Sequence, residues 1–141
     1  LLDQPYSPGI VGYLNDHKLA VVKVKGEFVW HEHDDTDDFF LVLRGRLTIQ
    51  LRDRDVELSE GELFVVPRGV EHCPRADEEA HVLLIEPKGT ANTGNAGGQL
   101  TFGRQFTTAN PYIGTLHLPA HNRERRRRAH HLPPECCRPH R

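Results

Sequence analysis

Short runs of apolar residues, each about the length of a β-strand, alternate with turn-forming residues between Leu19 and Glu86. Within one run, Leu47, Ile49 and Leu51 alternate with polar residues, as in a strand with a single buried face. No long stretch repeats its apolar residues at helical spacing. Because such short strands recur at regular intervals, the pattern predicts an all-β sandwich or barrel. The predicted strands cover residues 19–24, 28–33, 39–43, 47–51, 56–58, 63–66, 72–74 and 81–85.

The pattern changes after Glu86. Residues 87–99 are rich in Gly, Asn and Thr, and Arg, His and Pro dominate from Pro119 onward. A segment so poor in apolar residues cannot offset the entropy lost when its backbone is ordered. We therefore predict four parts: an N-terminal segment (1–18), a β-barrel (19–90), a loop-rich extension (91–118) and a poorly structured, disordered tail (119–141).

The composition fits one globular domain, since 37% of the 141 residues are hydrophobic and 27% are charged. No apolar run approaches the roughly 20 residues needed to span a bilayer, so we expect no membrane association. The three cysteines include an adjacent pair, Cys136 and Cys137, and make a poor disulfide framework. This cysteine usage favours a reducing, cytoplasmic setting.

The net charge of −2 conceals an uneven distribution. Residues 1–101 carry ten Lys and Arg against eighteen Asp and Glu (−8), whereas residues 102–141 carry eight Arg against two Glu (+6). The acidic body argues against nucleic acid as a partner of the folded domain. Four consecutive arginines at 125–128 stand in a segment of very different composition, and we expect no evolved function for that segment.

Four side chains carry candidate metal chemistry. His31 and His33 are two residues apart, so on a strand their imidazoles point to the same face. Asp38 lies at an odd spacing and joins them only if residues 34–37 make a turn or bulge. His72 follows the turn at 67–69 and supplies a third imidazole from another strand. Three histidines and one carboxylate form a mixed nitrogen and oxygen set that suits first-row metal ions.

These residues stand in two motifs that resemble the signature of the cupin superfamily. The first cupin motif is Gly, five residues, His-x-His, three or four residues, Glu, six residues, Gly. The second is Gly, five residues, Pro-x-Gly, two residues, His, three residues, Asn. Eight of these ten positions carry the family's residue, namely Gly26, His31, His33, Gly45, Gly61, Pro67, Gly69 and His72. Seven of the eight stand at the motif spacing, and Gly26 lies four rather than five residues before His31. Asp38 stands at the Glu position and Ala76 at the Asn position.

The resemblance covers about residues 19–90 and is greatest to small single-domain bacterial cupins of the type-2, phosphomannose-isomerase-like kind. It implies a double-stranded β-helix, or jelly roll, with one divalent metal ion (Fe, Mn, Ni, Cu or Zn) inside the barrel. His31, His33, Asp38 and His72 are the implied ligands, and no organic cofactor is expected. Aspartate is one methylene shorter than glutamate, which leaves a site of three histidines alone as the alternative.

The function implied is the binding or conversion of a small molecule at that metal centre. Dioxygenase chemistry and isomerase or lyase chemistry both suit such a centre, and no second acid or base stands out by its spacing. Two alternatives stay open, a non-catalytic module that binds or senses a small molecule and a structural barrel with a degenerate site. The resemblance also allows a homodimer formed by barrel faces or exchanged N-terminal strands.

Overall fold

The computed structural model describes residues 4–99 and a two-residue strand at 106–107. Within these ranges the regular structure is entirely β, which confirms the predicted fold class. No helix there is long and apolar enough to cross a membrane. The strands are β1 Gly9–Leu14, β2 His17–Glu27, β3 Asp38–Arg44, β4 Arg46–Leu51, β5 Asp55–Ser59, β6 Leu63–Val66, β7 His72–Pro87 and β8 Phe106–Thr107.

The long strand β7 organises the sheet. One of its edges pairs with β2 from end to end. Its other edge pairs first with β4, through residues 72–75, and then with β3, through residues 81–85. The strands β5 and β6 extend β4 and β3 outward, while β1 extends β2 and takes β8 as a parallel partner. Because β7 belongs to both halves, the sheet curls into the two-layered jelly roll that the motifs predicted.

Gly45 is the residue that joins β3 to β4 at the place where the β7 partner changes. It has a left-handed φ of 84°, and a Cβ there would lie 2.9 Å from the carbonyl oxygen of Glu79 and 3.1 Å from Cα of Ala80. Between the pairs Arg44–His81 and Thr48–Arg75, β7 carries two more residues than its partner. The middle of this stretch, residues 77–79, bulges outward and is fully exposed. Glycine is needed because backbone packs directly against backbone.

Inward-facing side chains of both layers fill the interior. Alternation along each strand places one row of apolar residues in the core. On β4 these are Leu47 and Ile49, which are 1% and 0% exposed. The chain before β1 adds Tyr6, whose ring stacks on Phe28 at 4.5 Å and whose hydroxyl donates a hydrogen bond to the carbonyl of Gly26. This aromatic pair closes one side of the cavity described below.

Three local features differ from the predicted strands. Strand β1 was not predicted, because two glycines interrupt the apolar pattern of Gly9–Leu14. The segment 28–33 is extended but forms no continuous ladder, since it is joined to the start of β7 by a bridge at His31 and by the Phe28 amide, which donates to the carbonyl of Pro74. The two runs at 72–74 and 81–85 belong to one strand, since the backbone keeps pairing around the exposed residues 77–79. The predicted tail (119–141) lies outside the described residues, as does most of the predicted extension beyond residue 99.

Replacement of Gly45 by alanine should destabilise the fold more than the same change at Gly61. Both glycines have left-handed φ angles (84° and 83°), so each substitution carries a strain cost of about 1–2 kcal/mol. Only at Gly45 does the new methyl group meet backbone, because nothing lies within 4 Å at Gly61. We expect Gly45→Ala to lower the free energy of unfolding by about 1 kcal/mol or more beyond Gly61→Ala. Urea denaturation of the two variants measures the difference, and equal losses would contradict it.

Candidate metal centre

The centre begins with a backbone bridge between two segments that are far apart in sequence. The amide of His31 donates to the carbonyl of His72 at 3.0 Å, and the amide of His72 donates back to the carbonyl of His31 at 2.9 Å. This pairing sets the two side chains opposite each other, with ring centroids 4.3 Å apart. His33, two residues along the extended segment, faces the same side, and its ring centroid lies 5.2 Å from that of His31.

Asp38 joins the three histidines through the turn that the odd spacing required. The chain bends at residues 34–36 and then enters β3 with Asp38 as its first residue, facing inward. Its Oδ2 atom lies 3.2 Å from Nε2 of His72 and 3.5 Å from Nε2 of His33. The bend thus reverses the face that an unbroken strand would have given to this carboxylate.

The structure therefore brings all four predicted side chains into one buried cluster. Their candidate ligand atoms all lie within 4.8 Å of one another. Each residue is nearly inaccessible to solvent, with exposed fractions between 1% for His72 and 7% for Asp38. The exposed aspartates of the bend, Asp34, Asp35 and Asp37, are not part of this cluster.

Two backbone carbonyls orient the imidazoles. Nδ1 of His31 lies 2.9 Å from the carbonyl oxygen of Val29, and Nδ1 of His72 lies 2.9 Å from that of Val70. A carbonyl only accepts, so each Nδ1 carries the proton. With Nδ1 occupied in this way, Nε2 is the atom that faces the cluster and that would bind a metal in place of a proton, which is how metal-binding histidines are usually held.

Burial and neighbouring charges set the ionisation of the cluster. Burial, helped by the nearby His72, lowers the pKa of His31 to about 4. Burial also lowers the pKa of His33, but the hydrogen bond and negative charge of Asp38 outweigh it, and this pKa ends above its ordinary value. For Asp38 burial raises the pKa, yet the hydrogen bonds from His33 and His72 prevail and leave it below the ordinary value. At neutral pH His31 is thus neutral and Asp38 is charged, the states that a metal requires.

The donor set fits one divalent first-row ion. Nitrogen and oxygen ligands bound at about 2.1 Å and at right angles to each other are separated by about 3 Å. The distances from Asp38 Oδ2 to the two Nε2 atoms, 3.2 and 3.5 Å, are close to this value. The shorter side chain of aspartate therefore still reaches the histidines. A metal ion would replace the proton that these pairs share in the metal-free chain.

A cavity of about 40 Å³ adjoins the cluster. One water molecule needs roughly 10–15 Å³ of such volume, so the cavity holds a few waters or a very small ligand without rearrangement. The walls are mainly apolar, and the polar groups that reach it include His31, His33 and Asp38. The apolar residues that line it are Tyr6, Pro8, Val22, Val24, Phe28, Phe40, Leu47, Pro74, Val82 and Leu84.

Residues 90–96, here named the cover loop, pack against the segment that carries His31 and His33. Asn95 exchanges hydrogen bonds with Glu32, since its amide donates to the carbonyl at 3.1 Å and its Oδ1 accepts from the Glu32 amide at 3.2 Å. A Cβ at Gly94 would overlap the Glu32 carbonyl and would lie 3.3 Å from Nδ1 of His33. The cover loop also places Asn92 in the cavity wall. Access to the cluster from this side therefore depends on the cover loop.

Other candidate residues lie outside the cluster. Trp30 faces the other side of its segment, as alternation predicts, and its ring packs under the guanidinium of Arg52 at 3.8 Å. Cys73 is completely buried, and its thiol donates a weak hydrogen bond to the carbonyl of Pro74 at 3.9 Å. His81 pairs with Glu79 on the surface of β7. The part of the chain that the structure describes thus adds no thiolate or fourth histidine to the cluster.

Two cavity residues were missed by sequence reasoning. Tyr6 lies in the N-terminal segment, where no motif points to it, and only the structure shows that it stacks over the cavity. Glu86 lines the cavity from the end of β7. The sequence contained a signal for Glu86, because alternation along the run at 81–85 places this charged residue on the same inward face as the apolar residues before it.

Comparison with known proteins agrees with this architecture. The cupin domain family (Cupin_2) matches residues 18–86. The uncharacterized protein YdbB of Bacillus subtilis strain 168 is 32% identical over 79 residues, which cover 55% of this chain and 70% of YdbB. The chain belongs to the cupin family. A solved cupin-2 domain protein of Shewanella frigidimarina is 48% identical, with a TM-score of 0.61, and the match covers 62% of this cupin and 85% of that chain.

Enzymes also occur among the similar proteins. The 3-hydroxyanthranilate 3,4-dioxygenase of Brucella anthropi is 35% identical over 94 residues, which cover 62% of this cupin and 52% of the enzyme. This cupin therefore spans about half the length of that dioxygenase. The match leaves about half of the enzyme uncovered, so the similarity establishes the family and the fold but not the activity.

Cys73 should be unreactive in the folded protein. Burial, with the negative charge of Glu27, raises the pKa of its thiol to about 11. At pH 8 only about one thiol in a thousand is then ionised, and the thiolate is the reactive form. We expect iodoacetamide to label the Cys73 peptide at least about 100-fold more slowly in native protein than in guanidinium, measured by mass spectrometry after digestion. Equal rates in the two states would show that the thiol is accessible.

Proposed function

We propose that this cupin holds one divalent metal ion through His31, His33, Asp38 and His72 and acts on a small molecule beside it. The observation that carries this proposal is the convergence of four buried ligand atoms, from residues of which His31, His33 and Asp38 also line a cavity. A buried carboxylate and three buried imidazoles without a shared cation are costly to desolvate. One ion that all four groups bind removes most of that cost.

The reaction class that we favour is oxygen-dependent cleavage, as in a dioxygenase. The support is the 35% identity to 3-hydroxyanthranilate 3,4-dioxygenase, together with a donor set that leaves one or two positions free on a five- or six-coordinate ion. When bound, such an ion supplies a Lewis-acid centre and, for iron, manganese, nickel or copper, a redox-active one. Isomerase or lyase chemistry uses the Lewis acidity alone and is the second reaction class.

The residues of the chain contribute position, charge and a dry environment. Val29 and Val70 fix the ring orientation of His31 and His72 through their carbonyls. Asp38 supplies one negative charge, which offsets half of the charge of a divalent ion. The apolar wall, including Phe40 and Leu84, limits water around the reacting groups. The cover loop closes the cavity on the side of His33.

A binding or sensing module is the second candidate function, and the small cavity favours it. A volume of about 40 Å³ admits only a very small ligand unless the walls or the cover loop move. Such a module would capture its ligand on the metal without converting it. Two further expectations stay predictions, namely a cytoplasmic location and a homodimer.

The first experiment measures metal content. Purified protein should contain close to one equivalent of Fe, Mn, Ni, Cu or Zn, and the double variant His31→Ala/His33→Ala should contain almost none, because half of the ligand set is removed. The matched control is His17→Ala, which changes an exposed histidine on β2. Plasma mass spectrometry gives the stoichiometry. Equal metal content in the wild type and the double variant would refute the site.

Asp38 needs a separate variant because its role rests on one oxygen. Asp38→Asn keeps the shape of the side chain and removes its charge. Since the loss of groups that only orient ligands already costs 10–100-fold in metal affinity, we expect a fall of at least about 10-fold. An unchanged affinity would favour the site of three histidines alone.

The second experiment separates turnover from binding. Iron-loaded protein should consume oxygen in the presence of candidate phenols, thiols or diketones, measured with an oxygen electrode. The His31→Ala/His33→Ala variant, treated with iron in the same way, serves as the control for free metal. Oxygen uptake by the wild type alone supports a dioxygenase. Ligand binding without uptake by any redox-active loaded form would instead support the binding module.

A further inference from the structure

An acidic residue continues an apolar row on the inner face of β7. Ala80, Val82 and Leu84 point inward with exposed fractions of 0%, 0% and 8%, and Glu86, the next residue in the row, is 3% exposed. Its side chain lines the same cavity as His33 and Asp38. Burial of a carboxylate at such a position is costly unless it is paired, so the charge there requires an explanation.

Lys18 supplies the pairing. It lies directly opposite Glu86 in the register of β2 and β7, and its Nζ atom is 3.2 Å from Oε1 of Glu86. Both side chains are buried, at 5% and 3% exposed. Nζ also donates a hydrogen bond to the carbonyl of Thr90 at 2.6 Å, which ties the pair to the cover loop. The carboxylate is therefore anionic and held in a fixed orientation.

Stability alone is a poor explanation for this ion pair. Replacement of buried ion pairs by apolar residues of similar volume is often neutral or stabilising. The pair also interrupts an otherwise apolar wall beside the cluster. Glu86 lines the same cavity as His33 and Asp38, so a molecule in that cavity lies between the carboxylate and the cluster.

We propose that Glu86, oriented by Lys18, accepts a hydrogen bond from an N–H or O–H group of the small ligand held at the metal centre. Glu86 is then a specificity-determining residue, and the ligand class is a compact molecule with a metal-binding oxygen or nitrogen and a neighbouring donor. This inference rests on the proposed metal centre. A ligand without the donor would occupy the cavity without making this hydrogen bond, which is a basis for discrimination.

Two small chelators that differ at one donor provide the probe. Acetohydroxamic acid carries an N–H group beside its metal-binding oxygens, and N-methylacetohydroxamic acid lacks it. Both are titrated calorimetrically into the zinc-loaded full chain. The test variant is Lys18→Met/Glu86→Leu, which removes the acceptor and keeps the position neutral and apolar. The matched control is Glu57→Gln, an exposed carboxylate on β5.

Hydrogen bonds to charged groups contribute enough that we expect the affinity for acetohydroxamic acid to fall about 10- to 100-fold in the double variant. The affinity for the N-methyl probe should change by less than about 3-fold, and the control should bind both probes as the wild type does. Parallel metal analysis should show one zinc ion per chain in every variant.

The outcomes separate the two proposals. Absence of zinc from the wild type overturns the metal centre itself. Zinc binding with unchanged probe affinities, or with an equal loss for both probes, overturns the role of Glu86. Where the double variant does not fold, Glu86→Gln decides, because its neutral oxygen accepts more weakly and should reduce the preference for the N–H probe. A preference equal to that of the wild type in this variant overturns the inference.

Discussion

The two backbone hydrogen bonds between His31 and His72 are the interaction on which the rest of the site depends. They join an extended segment that otherwise makes few ladder contacts to the start of the longest strand. Because the contact is made by backbone, it fixes both Cα positions before any side chain is oriented. The carbonyls of Val29 and Val70 then hold the rings, and the bend before Asp38 adds the carboxylate. Each later step uses geometry that the bridge has already set.

The polar side chains of the site are buried, and their burial has a cost in lost hydration. Histidines and carboxylates in an apolar interior lose hydration, and the low pKa of His31 and the mutual support of His33 and Asp38 are the two physical responses. His31 stays neutral, whereas His33 and Asp38 stabilise opposite charges on each other through a hydrogen bond. The ion pair of Lys18 and Glu86 repeats the second response at the cavity wall. The interior thus contains two charged centres within one apolar shell.

Sequence reasoning was strong where periodicity and spacing determine geometry. The two-residue separation of His31 and His33 was sufficient to place them on one face, and the motif spacing predicted their meeting with His72. Asp38 could be included only on the condition of a bend, which the structure contains. The carbonyls behind the rings lie only two residues from each histidine, but they depend on ring orientations that spacing does not specify. Tyr6 and the buried partner of Glu86 could not be predicted, because they depend on contacts between segments about 20 to 70 residues apart. Alternation within one strand carries no information about such contacts.

The cover loop has a consequence for how proteins of this kind diverge. The groups of the cluster stand on strands and on the segment bridged to them, whereas the cover loop follows β7 and meets them through Gly94, Asn95 and Asn92. Loops tolerate insertion and exchange far better than paired strands do. Related chains can therefore keep the four side chains of the cluster unchanged while the cover loop differs, and the loop then alters which molecules reach the cluster. Gly94 marks the limit of that freedom, because a side chain there would overlap the backbone carbonyl of Glu32.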